Sequence, residues 1–192
     1  MPKTPSITPE ELRQLLDYDP RTGSLEWAEP DRGWFASDAH WLAFCQMRDG
    51  AKPLTCEHSG GYLWGYIGAQ AMLAHRAIWA YCHGEWPDEQ LDHVNHDRRD
   101  NRLSNLRLAT QAENCRNFSR RYDNSSGVTG VSWDKDRKKW VAQIALPGGK
   151  NRYLGRYSSL EDAALARKKA EIQYGFHGNH GKTAEELRKP AE

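Results

Sequence analysis

The residues best equipped for chemistry sit in one run, from Leu91 to Asn114. It holds an adjacent carboxylate and imidazole, Asp92-His93, then a loop crowded with Asn, Asp and Arg, and ends on Asn114. Such a unit can hold one divalent cation beside one imidazole base. A neutral imidazole, with an ordinary pKa of about 6.5, takes a proton from water near neutral pH. A divalent ion acts as Lewis acid on a phosphate and stabilises a leaving 3′-oxygen. Together these are the minimum for hydrolysing a phosphodiester. The alternative is a surface loop with an incidental Asp-His pair.

The elements that must position these groups are legible locally. Leu91 to Val94 reads as a short strand. The stretch to Asn105 is too polar for strand or helix, and its Asn and Asp side chains suit turns. Leu106-Arg107-Leu108-Ala109 alternates apolar and polar, as a half-buried strand does. Thr110-Gln111-Ala112-Glu113 has the form of a capping box, so Asn114 follows the first helical turn. The order is strand, long loop, strand, helix.

The pattern D-H…D-N-R-x-x-N-L-R-x-A-T-x-x-x-N over residues 92–114 resembles the HNH (ββα-metal) nuclease motif, most closely that of phage intron-encoded homing endonucleases. The resemblance implies that Asp92 and Asn114 are metal ligands and that His93 is the general base. It implies that Asn105 ties the loop so that His93 points correctly. An oxygen donor at position 114 favours Mg²⁺ or Mn²⁺ over Zn²⁺. Two protein ligands leave the rest of the octahedron to water and DNA. The segment Ala74-His75-Arg76-Ala77-Ile78-Trp79-Ala80-Tyr81-Cys82-His83-Gly84 resembles what precedes the motif in phage HNH proteins. It reads as a helix closed by Gly84. Arg76 either touches the scissile phosphate or simply packs at the helix start. His75 is read as packed with its polar groups satisfied, and His96 as solvated.

The chain has 192 residues, enough for one or two small domains. No apolar run approaches the roughly eighteen residues of a membrane span. Met1-Pro2-Lys3-Thr4-Pro5 lacks the apolar core of a secretory signal. Cys45, Cys56, Cys82 and Cys115 form no CxxC pair, which points to reduced thiols and a cytoplasmic protein, in the host cell if phage-encoded. Cys45, Cys56 and His58 could be read as part of a zinc site, but the spacing is poor and a fourth ligand is lacking. Net charge is +1, unevenly placed: residues 1–90 hold 7 Lys+Arg against 13 Asp+Glu, and the remainder 20 against 13. The basic half is where a polyanion would bind.

Earlier in the chain, Thr8-Pro9-Glu10-Glu11 starts a short helix through Leu12, Leu15 and Leu16. Asp19 to Ser24 is a turn into Leu25-Glu26-Trp27. Residues 34–56 are rich in aromatics without a period and read as an insert or a loosely helical cover. Gly60 to Ile67 looks like a strand, with Gly68-Ala69-Gln70 as a hairpin turn. Phe118 to Ser126 is polar and ends in Asp123-Asn124-Ser125-Ser126-Gly127, a linker or tight turn, and Arg116, Arg120 and Arg121, at or beyond the end of the motif helix, suit its C-terminus or a DNA backbone.

Residues 128–157 read as three strands: Val128–Trp133, Trp140–Leu146 and Arg152–Tyr157. In the second, Trp140, Ala142, Ile144 and Leu146 share one face and Val141, Gln143 and Ala145 the other. Pro147-Gly148-Gly149-Lys150 is a turn. Ser158-Ser159-Leu160-Glu161 opens a helix with a capping box, and Ala163, Ala166, Ala170 and Tyr174 share a face of it. Residues 125–179 are similar to the AP2/ERF DNA-binding domain, three antiparallel strands backed by one helix. That resemblance implies a sheet in the major groove. By position, Arg137, Lys139, Gln143, Arg152, Tyr153 and Arg156 are candidates for DNA contact. The plant form has an Arg after its first Gly-Val, where this chain has Thr129, so a base-reading contact there is in doubt. The alternative is a small sheet with a solvated basic face.

The expected fold is therefore α+β: an HNH nuclease core followed by a three-stranded antiparallel sheet on one helix. Residues 1–58 form an N-terminal extension, 59–120 the core, 121–127 a linker, 128–179 the second module and 180–192 a tail. The expected activity is metal-dependent cutting of double-stranded DNA, with one Mg²⁺ or Mn²⁺ per chain. One site per monomer predicts nicking, and a homodimer would be needed for a double-strand cut. A non-catalytic, sequence-specific DNA-binding regulator is the alternative. Residues 1–60 could also serve as a protein-interaction module.

Overall fold

The computed structural model describes residues 5–29, 31–146 and 149–188. Pro147 and Gly148 of the expected turn, and Met1–Thr4, lie outside them. The chain divides into two compact units. The first comprises residues 1–93 and 97–108, the second residues 94–96 and 109–192. The division does not follow the expected linker at 121–127. Its reason is that residues 177–181 bind back to the end of the motif helix and to Val94: His177 N–H donates to Arg116 O, Gly181 N–H to Phe118 O, and Asn179 Nδ2 to Val94 O.

In the first unit, α1 (Pro9–Leu15) begins on a full capping box: Glu11 N–H donates to Thr8 Oγ1 and Thr8 N–H to the Glu11 carboxylate, with Pro9 at the first helical position. Leu16 does not continue the helix. It opens β1 (Leu16–Asp19), which pairs antiparallel with β2 (Ser24–Trp27). Leu16 is fully buried either way, so its apolarity marks the core rather than a helical face. The segment expected to be a loose cover contains α2 (Asp38–Arg48), capped by Ser37. β3 (Cys56–Glu57), β4 (Leu63–Ile67) and β5 (Gln70–Leu73) form an antiparallel sheet. Ile67 pairs with Gln70 around a two-residue loop in which Gly68 has φ +59°. α3 (Ala74–His83) stops at Gly84, whose φ of +79° lets its N–H donate to Ala80 O. Ala74, Ala77 and Ile78, spaced for one helical face, join Leu12, Leu16, Leu25, Leu54, Ile67 and Leu106 in one core. Each fully buried Leu or Ile contributes roughly 1.5–3 kcal/mol. β6 (Gln90–His93) follows and pairs with β7 (Leu106–Ala109).

The second unit begins with α4 (Gln111–Arg116), again on a complete capping box, Thr110 with Glu113. β8 (Val131–Asp134), β9 (Lys139–Ala145) and β10 (Asn151–Tyr157) form an antiparallel sheet in the order β10-β9-β8. β8 starts at Val131 rather than Val128. Residues 126–130 instead wind around Ser126, whose hydroxyl bonds the carbonyls of Val128 and Val131. α5 (Leu160–Gln173) packs on this sheet through Ala163, against Val131 and Ala142, and Ala170 is buried on the same helix. Its cap is Ser159 with Asp162, one residue later than the Ser158–Glu161 pairing. Arg167, on the same helix, is buried: it donates to Glu171, to Gln143 O and to His180 Nε2. The tail carries α6 (Ala184–Arg188).

Candidate active site

Asp92 and His93 end β6, and β7 beside it carries Arg107. Arg107 donates from Nε (3.0 Å) and a terminal nitrogen (2.7 Å) to one oxygen of Asp92. A cation arriving at Asp92 therefore competes with a guanidinium already there.

The His93 ring is only 3 % exposed. Polar and aromatic groups lie against it. Nε2 lies 3.1 Å from Oδ1 of Asn101, itself 1 % exposed. The His75 ring meets it edge-on at 5.2 Å, and Tyr62 lies 5.8 Å away. Burial holds the His93 pKa below the usual imidazole range. The Asn101 bond and the charges of Asp92 and Asp100 pull it partly back. The ring is thus kept neutral, the form that can accept a proton.

His75, at 5 % exposure, is pushed down to about 3, chiefly by burial and then by the neighbouring His93 and Arg76. It was expected to have its polar groups satisfied. Instead its Nδ1 is buried without a hydrogen-bond partner. Arg76, a candidate for the phosphate, donates to Pro87 O at 3.0 Å and so is tied to the chain after α3.

The loop is tightly self-bonded. Asn105 Nδ2 donates to Asp100 O at 2.8 Å, and Arg102 makes two bonds to the Asp100 carboxylate. Arg98 donates to Gly60 O and lies 4.7 Å over the Tyr62 ring, while Arg99 pairs with Glu57. His96, in the second unit, is not solvated. Its Nε2 faces Asn117 Oδ1 at 2.9 Å and its Nδ1 faces Lys182 O at 2.8 Å. Tyr18, Tyr62, Asn101 and Arg107 were not singled out in the sequence. Asn101 was visible within the D-N-R motif, whereas nothing local marks Tyr18.

In the second unit, Asn114 sits on α4. Arg120 donates to Gly127 O and Glu186, and Arg121 pairs with Asp123. Arg116 has its Nε buried without a partner. On the sheet, register puts Gln143, Tyr153, Val141 and Arg156 on one face, away from the apolar side of Ala142 and Ile144. Lys139, two residues before Val141, shares that face and donates to Ser158 Oγ. Arg156 lies over the Tyr153 ring at 5.5 Å, and both Arg156 and Arg137 approach Asp134. Arg152 departs from this set: it pairs opposite Ile144, on the other face, and lies over Tyr174. Thr129 has its hydroxyl buried without a partner. It lines a groove of about 870 Å³ with Arg116, Phe118, Arg167 and Phe176, which does not include the sheet's cationic residues.

Among the described residues no group of three or more His, Cys, Asp or Glu is arranged to hold a metal, the Cys45, Cys56 and His58 set included. No described helix is long and apolar enough to cross a membrane.

A family model described as HNH endonuclease matches residues 72–116. The chain is 31 % identical to Protein 3.8 of Escherichia phage T7 over 108 residues, which cover 56 % of this chain and 89 % of that protein. No solved structure matches.

Proposed function

We propose, from the premise that this chain belongs to the family of phage Protein 3.8 and carries an HNH endonuclease domain at residues 72–116, that it is a metal-dependent DNA endonuclease that nicks duplex DNA. The observation that carries the reading is the Asp92-His93 pair inside the matched domain, ending β6, with the imidazole held neutral and bonded to Asn101.

His93 takes a proton from water. The resulting hydroxide attacks phosphorus, the bond to the 3′-oxygen breaks, and that oxygen takes a proton from solvent water, leaving a 5′-phosphate and a 3′-hydroxyl. Asn105 ties the loop that follows His93. Asp92 and Asn114 would hold the divalent ion. Their donor chemistry, a carboxylate and a carboxamide oxygen, suits Mg²⁺ or Mn²⁺, and Asp92 already faces a cation in Arg107. Their assignment to one ion rests on their places in the motif. When bound, the ion supplies Lewis-acid stabilisation of the phosphate and the departing oxygen.

DNA is held, in this proposal, by the basic second unit. Lys139, Gln143, Tyr153 and Arg156 present one exposed face of an antiparallel sheet, a shape the major groove admits. Arg116 extends the cationic surface, whereas Arg120, Arg121 and Arg137 are engaged by carboxylates. One site per chain gives nicking by a monomer. Homing or free-standing phage function, and an AP2/ERF kinship for the sheet, belong to this proposal and rest on sequence pattern.

A second reading has its own support. Arg107 occupies Asp92, and the His93 ring is buried, as in a motif kept as a scaffold for a DNA-binding regulator. Conversion of supercoiled plasmid to open circle in Mg²⁺ or Mn²⁺ separates the two. Wild type nicks and His93→Ala is slower by about 10²–10⁴-fold if the base is His93. Equal rates remove His93 from the mechanism, and no nicking with specific binding favours the regulator.

A further inference from the structure

We infer that Asn101 and Tyr18 are positioning residues for His93, and that the N-terminal hairpin β1–β2 belongs functionally to the nuclease site. The inference rests on the endonuclease reading.

A neutral imidazole has one N–H and one lone pair, and the partner of one nitrogen decides where each sits. Oδ1 of Asn101 can only accept. At 3.1 Å from Nε2 it places the ring proton on Nε2 and the lone pair on Nδ1. Both side chains are buried, so this bond is not exchanged for water.

Asn101 is in turn fixed from a distant part of the chain. The Tyr18 hydroxyl, on β1, donates to Asn101 O at 3.4 Å and accepts from Leu103 N–H at 2.8 Å. It thus uses both of its roles on the motif loop. At the hairpin turn Gly23 has φ +75°, and a Cβ there would fall 2.4 Å from Arg102 N and 2.6 Å from Asn101 C. Only glycine lets the loop lie that close. On its other side the loop is closed by Asn101 N–H to Arg99 O and by Asn105 to Asp100 O. The chain is therefore Tyr18 to Asn101 to His93. Tyr18, more than seventy residues before the motif, thus helps set which ring nitrogen of His93 carries the proton.

The test has two readouts on the full-length protein. The first is the ¹⁵N shifts of the His93 ring, at a pH where imidazoles are neutral. Wild type shows Nε2 protonated, and so does Asn101→Asp, which keeps an acceptor in place. A ring protonated on Nδ1 overturns the inference. The second is plasmid nicking. Asn101→Ala lowers kcat by about 10-fold or more at unchanged KM, toward the loss of a general base. Tyr18→Phe, which removes only the hydroxyl, lowers kcat by about 3-fold, and Asn101→Asp restores most of the rate. Tyr18→Phe and Asn101→Asp decide the matter if Asn101→Ala does not fold. Wild-type kcat in a folded Asn101→Ala or in Tyr18→Phe overturns the inference alone. No nicking by wild type overturns the endonuclease reading, and the positioning role with it.

Discussion

The motif loop at residues 97–105 and the sheet β8–β10 are both rich in cations, yet they spend them differently. Arg98, Arg99 and Arg102, with Arg107 on β7, are each committed to a partner within their own unit: Gly60 O and the Tyr62 ring, Glu57, Asp100 and Asp92. On the sheet, Lys139 meets a hydroxyl, which leaves its charge uncancelled, and Arg156 lies over a ring face with a single 3.5 Å approach to Asp134 that it shares with Arg137. The first arrangement holds backbone and a buried imidazole in place. The second presents positive charge to solvent, which is what phosphate contacts need. Under the proposed function, rigidity around the base and adhesion to the polymer fall to different units, and that division can be probed from each side.

The largest expected effect short of removing the base is on binding. The triple variant Lys139→Ala, Tyr153→Ala, Arg156→Ala weakens DNA affinity by about 10–100-fold and flattens the dependence of log K on log salt by about 0.9 per lost phosphate contact. Fluorescence anisotropy over a salt series checks it. An unchanged slope means the sheet does not touch phosphate.

Next in size is a pH effect to which buried His75 in the first unit contributes, as does His180, pushed down to about 4 by burial, in the second. His75 has a folded pKa of about 3, below its unfolded value of about 6.5. The unfolded chain therefore binds a proton first as pH falls. Stability is fully present above about 6.5 and declines by up to about 1.4 kcal/mol per pH unit below it. The melting temperature should fall as pH drops from about 6.5 to 5, and His75→Leu should make that fall shallower. The smallest effect is Thr110→Ala, which removes the α4 capping box and costs about 1 kcal/mol in the second unit. Chemical denaturation measures it.

What could be read from the residues was what is local. The Thr8–Glu11 and Thr110–Glu113 boxes, the Gly84 stop and the alternation of β9 depend on neighbours within a turn or a strand. What escaped is long-range. Nothing near Tyr18 announces Asn101, and nothing near His96 announces Lys182. Arg167 looks like one more exposed charge until the sheet, Glu171 and His180 close around it. The cationic face was blurred by one extra residue. The register shifts between Tyr153 and Gly155, so Tyr153 and Arg156, three apart, share a face that regular alternation would deny them. Ser158 and Ser159 offer the same hydroxyl, and only the helix start chooses between them.

The most direct test compares wild type with Asp92→Ala on supercoiled plasmid in Mn²⁺, at protein concentrations that saturate DNA binding for both. The two bind alike, and only wild type yields open circle, whose formation stops on adding a chelator. Open circle from both at the same rate, or from neither, would contradict the assignment of cutting to the first unit's Asp92-His93 pair.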